Sequence, residues 1–257
     1  MTILQALILG IVQGITEFLP ISSSGHLVIF PELFGWPLQD VAFDATIHLA
    51  TLLVILSVFW RDIVEVVTHR RHLLWVILFS TIPVGLVGLW LERVNDLRSL
   101  PVVASSLAFW GAMLIFADWH SNRQPATSNE QPLVGNWRQT LLVTLSQAVA
   151  LVPGTSRSGI SIIAGLSAGL DRIAAARLAF LVGIPITAVA GLKKFFDIAS
   201  GGVAIDAIPL FVGFLAAFFS GLVAVRWLLR FLTKGKYLWF GAYRLMLAAL
   251  LFFVWMQ

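Results

Sequence analysis

Six long apolar runs dominate the chain: Phe43–Trp60, Leu73–Leu91, Val102–Trp119, Leu178–Leu192, Ile208–Leu229 and Tyr237–Trp255. A helix needs about 20 such residues to cross the hydrocarbon core of a bilayer. Only a helix or a closed barrel satisfies its own backbone polar groups there. The runs therefore predict an all-α integral membrane protein with six transmembrane helices. The fourth run is short and can borrow residues from Ala174 onward. Composition agrees, at 59% hydrophobic and 12% charged over 257 residues, against roughly 45–50% and about 25% in soluble domains. There is no cysteine, which excludes disulfides and thiolate metal sites. The net charge of +4 comes from basic residues flanking the apolar runs, where membrane orientation explains them. Membrane lipids are expected as partners and nucleic acid is not. Met1–Val12 is apolar like a signal peptide, but it lacks a basic start and a small-residue cleavage site. It is read as part of the mature protein.

Two further regions, Leu4–Phe34 and Leu141–Leu170, are apolar at both ends but broken in the middle by Gly, Pro and Ser. Neither half of either region can span. Broken backbone at membrane depth is tolerated where protein or a water-filled cavity covers it. Both regions are thus predicted to be re-entrant helix–loop–helix hairpins. They are related to each other. QGITEFLPISSSG (Gln13–Gly25) aligns without a gap on QAVALVPGTSRSG (Gln147–Gly159), at an offset of 134 residues. The same offset carries Leu74 onto Ile208 and Pro101 onto Gly235. The chain is therefore read as one membrane domain of two repeats, 1–120 and 139–257, joined by the polar linker 121–138. Each repeat holds one hairpin and three spans. Three is odd, so the second repeat enters from the opposite side, as inverted repeats with broken helices do.

Arg61, Arg70, Arg71, Arg123, Arg138, Arg172, Arg177, Arg226, Arg230, Lys234 and Lys236 fall on one face, and Arg93, Arg98, Lys193 and Lys194 on the other. The positive-inside rule makes the richer face cytoplasmic. Both termini and the mouth of the first hairpin then face outward.

Charge at membrane depth is expensive and needs a partner or a wet cavity. Glu17, Arg157 and Arg244 sit there, with His26, Asp44 and His48 as further candidates. If the hairpin tips meet, Glu17, Ser22, Ser23, Ser24 and His26 face Ser156, Arg157 and Ser158. Arg157 can grip phosphate through two donors. Gly154 and Gly159 would let backbone approach an anion. The helix N-termini after Gly25 and Gly159 would aim N–H groups at it. A serine run beside a histidine is raw material for an activated hydroxyl. Glu17 can act as base or hold a divalent cation on phosphate oxygens. The set suits phosphoryl transfer from a diphosphate whose apolar tail stays in the lipid. Ser24, Gly25, Gly154, Thr155, Ser156, Ser158, Gly159 and Arg244 are the expected substrate-binding residues. Plainer roles compete: Ser24 and Ser158 as turns or caps, His48 as a packing residue, and Arg244 paired with a carboxylate such as Asp44 or with carbonyls.

QGITEFLPISSSGH (Gln13–His26) resembles the (E/Q)GxTEFLPxSSxGH signature of the undecaprenyl-diphosphatases, the bacitracin-resistance proteins. VPGTSRSG (Val152–Gly159) resembles their second signature, PGxSRSG. Phe43–Leu56, Phe180–Gly191 and the Tyr243–Arg244 pair also match, in order along nearly the whole chain. The resemblance implies hydrolysis of undecaprenyl diphosphate to the monophosphate and inorganic phosphate, which regenerates the carrier lipid for peptidoglycan and other envelope polymers. It implies a bacterial inner membrane, a site open to the periplasm and a need for Mg²⁺ or Ca²⁺. It maps function onto Glu17, Ser23, His26 and Arg157. Ser23 is read as nucleophile with Ser22 second, His26 as proton shuttle, Arg157 as the stabiliser of phosphoryl charge, and Glu17 as metal ligand or orienting group. Gln13 stands where other members carry Glu; as a metal ligand it keeps an oxygen but loses a charge. A flippase for undecaprenyl phosphate is the rival reading, favoured by the inverted repeats. A homodimer is compatible with the sequence.

Overall fold

The computed structural model describes residues 1–94, 99–121, 135–201 and 206–256. The expected linker lies mostly outside these residues, as do Arg98 and Arg123 of the orientation signal. The described chain is all helix apart from turns. Its elements in order are α1 (Ile3–Phe18), α2 (Ser23–Phe34), α3 (Val41–Val58), α4 (Trp60–Thr68), α5 (Arg71–Val94), α6 (Leu100–Ser121), α7 (Trp137–Ser146), a 3₁₀ turn (Val149–Leu151), α8 (Arg157–Ser167), α9 (Arg172–Gly201), α10 (Ala207–Leu232) and α11 (Leu238–Trp255).

Five helices are long and apolar enough to cross a membrane: α5, α6, α9, α10 and α11. The sixth expected span is α3, which continues after a 71° bend into α4. The chain is thus a multi-pass membrane protein. The bend at Phe59 was not foreseen. Helix α4 is amphipathic, with Asp62 buried against α9 and Trp60 exposed, so it cannot simply prolong an apolar span. Inside the bend, the Phe59 ring packs at 5.5 Å from that of Phe180, which also meets Phe18 at 5.6 Å. This aromatic group seats the end of α1 on α9.

The broken regions form short helix pairs, α1 with α2 and α7 with α8. Their local chemistry repeats at the 134-residue offset. A capping box of Thr2 and Gln5 starts α1, and one of Asn136 and Gln139 starts α7; each satisfies N–H groups a helix start leaves open. Ser22 caps α2 and Ser156 caps α8, each hydroxyl accepting from the glycine N–H three residues on. Both serines take positive φ, 75° and 72°, a conformation costing an L-residue roughly 1–2 kcal/mol. Packing is reciprocal too. Helix α1 packs on α10 and α7 on α5, while α3 meets α9 and α6 meets α11.

Charge closes one end of the bundle. Arg172 pairs with Asp118 at 2.5 Å, tying α9 to α6, and Arg177 with Asp62 at 3.5 Å, tying α9 to α4. The buried Tyr237 hydroxyl donates to the Arg172 carbonyl at 2.9 Å.

Candidate active site

The two hairpin tips meet as the repeat alignment predicts. Glu17, in the last turn of α1, forms an ion pair with Arg157, the first residue of α8. Arg157 donates its other terminal nitrogen to the Thr187 hydroxyl on α9. The remaining Glu17 oxygen accepts from the Ser23 hydroxyl at 2.6 Å and from the Gln13 amide at 3.2 Å. A carboxylate, a serine hydroxyl and a guanidinium thus share one hydrogen-bonded group drawn from both halves. It opens on a cavity of about 260 Å³ whose walls include Glu17, Ser23, Ser24, His48, Gln147, Ser156, Arg157 and Thr187. The first residues of α2 and α8 both line this space, so two helix N-termini present positive partial charge to it.

Other expected site residues have different work. Ser22 is fully buried and used as a cap, which leaves Ser23 as the serine in contact with the carboxylate. The His26 ring is committed on both sides, with Nδ1 2.7 Å from the Ser22 carbonyl and Nε2 2.7 Å from the Tyr243 hydroxyl. The carbonyl can only accept, so Nδ1 carries the proton and the neutral ring takes the Tyr243 hydrogen on Nε2. Both ring nitrogens of His26 are thus taken, and the Ser23 hydroxyl is not among their partners. Thr155 is buried and bonds Ser106 at 2.9 Å. Ser158 lies 3.2 Å from the Ser156 hydroxyl and 3.4 Å from the Leu19 carbonyl, to which it donates.

Arg244 is fully buried, away from the cavity lining. Its guanidinium donates to the carbonyls of Pro20, Gly154 and Thr155. It binds carbonyls rather than Asp44, and it clamps the two tips together. The glycines serve this clamp. A Cβ on Gly159 would lie 2.8 Å from the Arg244 guanidinium. Gly154 has φ +88°, and its Cβ would lie 2.6 Å from the Val103 carbonyl on α6. What approaches these glycines closely is protein. A Cβ on Gly25 would meet Ser22 at an ordinary 3.4 Å.

Two further residues of the cavity bear on the chemistry: His48, a candidate at membrane depth from sequence, and Gln147, which was not singled out. His48 uses Nδ1 on the Asp44 carbonyl at 2.7 Å, which leaves the Nε2 lone pair without a partner among the described residues. Gln147 donates its amide to the Val182 carbonyl at 3.1 Å, which fixes its oxygen in the opposite direction; that oxygen is buried and unpartnered. The 134-residue match of Gln147 to Gln13 was a visible signal. The facing of His48 was not, because the sequence does not say which element α3 turns it toward.

A divalent cation such as Mg²⁺ or Ca²⁺ requires hard oxygen donors. No cluster of three His, Asp or Glu side chains exists among the described residues. Glu17 supplies one carboxylate and Gln147 one free amide oxygen. Gln13 turns its N–H toward Glu17, so its own oxygen faces away. Such a set fits a cation of the Mg²⁺ type, which keeps water and substrate phosphate oxygens rather than entering an all-protein cage.

Fold and pocket together define a polytopic membrane protein with an acid–serine–guanidinium site built across two broken helix pairs. The sequence matches the family described as Bacitracin resistance protein BacA over residues 6–250. Undecaprenyl-diphosphatase of Myxococcus xanthus is 40% identical over 267 residues, covering 98% of this chain and 88% of its own length. The undecaprenyl-diphosphatase of Marinobacter nauticus is 37% identical with 100% of both chains covered, and that of Nitrosococcus oceani 39% with 99% of each. The chain belongs to the BacA family.

Proposed function

We infer that this protein hydrolyses undecaprenyl diphosphate to undecaprenyl phosphate and inorganic phosphate. The observation that carries the reading is the Ser23 hydroxyl held 2.6 Å from a Glu17 oxygen while Arg157 holds the other. Ser23 attacks the terminal phosphorus and Glu17 receives its proton. The bridging P–O bond breaks, and undecaprenyl phosphate leaves with the bridging oxygen. Water, giving a proton to His48, then attacks the phosphoserine phosphorus; inorganic phosphate leaves, and Glu17 returns its proton to the departing Ser23 oxygen. Arg157 and the N-termini of α2 and α8 oppose the charge on the transferring group, the main demand in phosphoryl transfer. His48, with its free Nε2, replaces His26 as the residue placed to move a proton at the cavity. A divalent cation, Mg²⁺ or Ca²⁺, would be held by Glu17 and Gln147 and would neutralise phosphate charge. Gln13 positions Glu17.

By family, the reaction recycles the lipid carrier of peptidoglycan synthesis, confers bacitracin resistance and runs in the bacterial inner membrane with the site toward the periplasm. Reciprocal packing of halves 1–120 and 139–257, joined by linker 121–138 and inserted in opposite senses, also favours a second reading, inward flipping of undecaprenyl phosphate. The test is phosphate release from undecaprenyl diphosphate in detergent, and lipid transfer in sealed vesicles. Wild-type release that falls at least about 100-fold in Ser23→Ala, the scale of one lost transition-state contact, supports hydrolysis. Transfer without any phosphate release refutes it.

A further inference from the structure

The α1–α10 seam and its counterpart between α7 and α5 are built differently. At the α1–α10 seam, small residues close the gap: a Cβ on Gly10 would lie 2.5 Å from the Gly213 carbonyl, and Gly14 meets Ser220, Ala217 and Gly221 at least as tightly. The corresponding α7–α5 seam, 134 residues displaced, carries Thr144 and Ala148 where α1 has Gly10 and Gly14. On α5 it carries Phe79 and Pro83 where α10 has Gly213 and Ala217. Larger side chains hold this seam apart. The result is a groove of about 480 Å³ between Trp75, Val76, Phe79 and Pro83 on α5 and Trp137, Leu141 and Leu145 on α7. Ser80 also borders it, but its hydroxyl is bonded back to the Val76 carbonyl at 2.5 Å, so the walls are apolar.

The lining of the groove borders that of the cavity along α5 and just past the end of α7. Val76, Ser80 and Val84 stand four residues apart on one ridge of α5. Val76 and Ser80 line the groove, and Val84 lines the cavity. On the other wall, Leu145 lines the groove, while Gln147, Ala150 and Leu151 line the cavity. Gly88 keeps α5 against Leu151 at that rim, where a Cβ would sit 3.5 Å from its side chain. From Trp75 to Val84 the groove follows about 13 Å of helix axis.

We propose that the α5–α7 groove is the binding site for the first isoprene units of the substrate's tail, with the diphosphate in the Glu17–Arg157 cavity. The proposal rests on the phosphatase reading and adds the route by which the lipid reaches the site. Substrate enters sideways from the bilayer through the open seam, and the closed α1–α10 seam gives it no equivalent path. A tail lying here is shielded by Trp75, Phe79 and Trp137, whose flat faces suit a branched, unsaturated chain.

The probe is a prenyl diphosphate carrying a photoreactive group in its first isoprene units, used with the wild-type chain in vesicles. Phosphate release from the same probe tests the phosphatase reading separately. Label confined to residues 75–84 and 137–145, and removed by excess undecaprenyl diphosphate, is the expected result. Label spread over exposed faces such as Phe211 and Phe219, label that substrate does not compete away as for a resident phospholipid, or no label at all overturns the proposal. A second measurement is the ratio of kcat/KM for undecaprenyl diphosphate over inorganic diphosphate, which has no tail to place in the groove. It should fall about tenfold in Leu145→Trp, which fills the groove, and stay unchanged in the control Phe219→Trp on α10. An unchanged ratio in Leu145→Trp, or an equal fall in both, contradicts the groove.

Discussion

Glu17 makes three contacts, and each gives it a separate task. Arg157 balances its charge, Ser23 offers it a proton, and Gln13 holds it in register. Ser23→Ala deletes the proposed attacking oxygen together with one hydrogen bond to the buried Glu17 carboxylate, worth about 1.5–3 kcal/mol. It is expected to lose activity and to lower the thermal unfolding midpoint in detergent by several degrees. Arg244 carries more of the fold. Arg244→Ala strips charge-assisted hydrogen bonds from three buried carbonyls, each worth about 1.5–3 kcal/mol. A large loss of folded protein on size-exclusion chromatography is expected, whatever the activity. His48→Ala should lower kcat about 100-fold with little change in KM, the low end for a proton-transfer group. Equal kcat for His48→Ala and wild type would return His48 to a packing role.

At the scale of elements, the seams make opposite demands on glycine. Gly14→Ala puts a methyl into Ser220 and the α10 backbone and should destabilise by about 1–3 kcal/mol through overpacking. Gly85→Ala meets only the tip of Ile186 at 3.9 Å and should be neutral. Urea unfolding midpoints in micelles compare the two. The elements themselves were largely readable. Apolar runs located α5, α6, α10 and α11 within a few residues, because a lipid-facing helix has no freedom to be polar. Pro20, Gly154 and the serines marked the broken helices, and the repeat placed Arg157 opposite Glu17. The 71° bend after α3 was hidden, because it depends on Phe59 meeting Phe180 across the fold. The carbonyl clamp of Arg244 was equally hidden, because an apolar sequence does not say which backbone oxygens a helix will face. The rotation of α3 that turns His48 to the cavity was hidden too, because Asp44, His48 and Thr51 mark a polar face of α3 without saying what that face meets.

Across the whole molecule, the proposed site joins residues 140 positions apart in sequence, held as one unit by a clamp and by two matched caps. The most direct measurement is a double-mutant cycle on phosphate release from undecaprenyl diphosphate, with Glu17→Ala, Arg157→Ala and the pair. Groups that act as a unit are strongly non-additive. Each single variant should lose at least about 100-fold in kcat/KM, the scale of one transition-state contact, and the double variant should lose little more than the worse single one. Near-wild-type rates in either single variant, or losses that multiply in the double, would contradict a shared site built by the two halves.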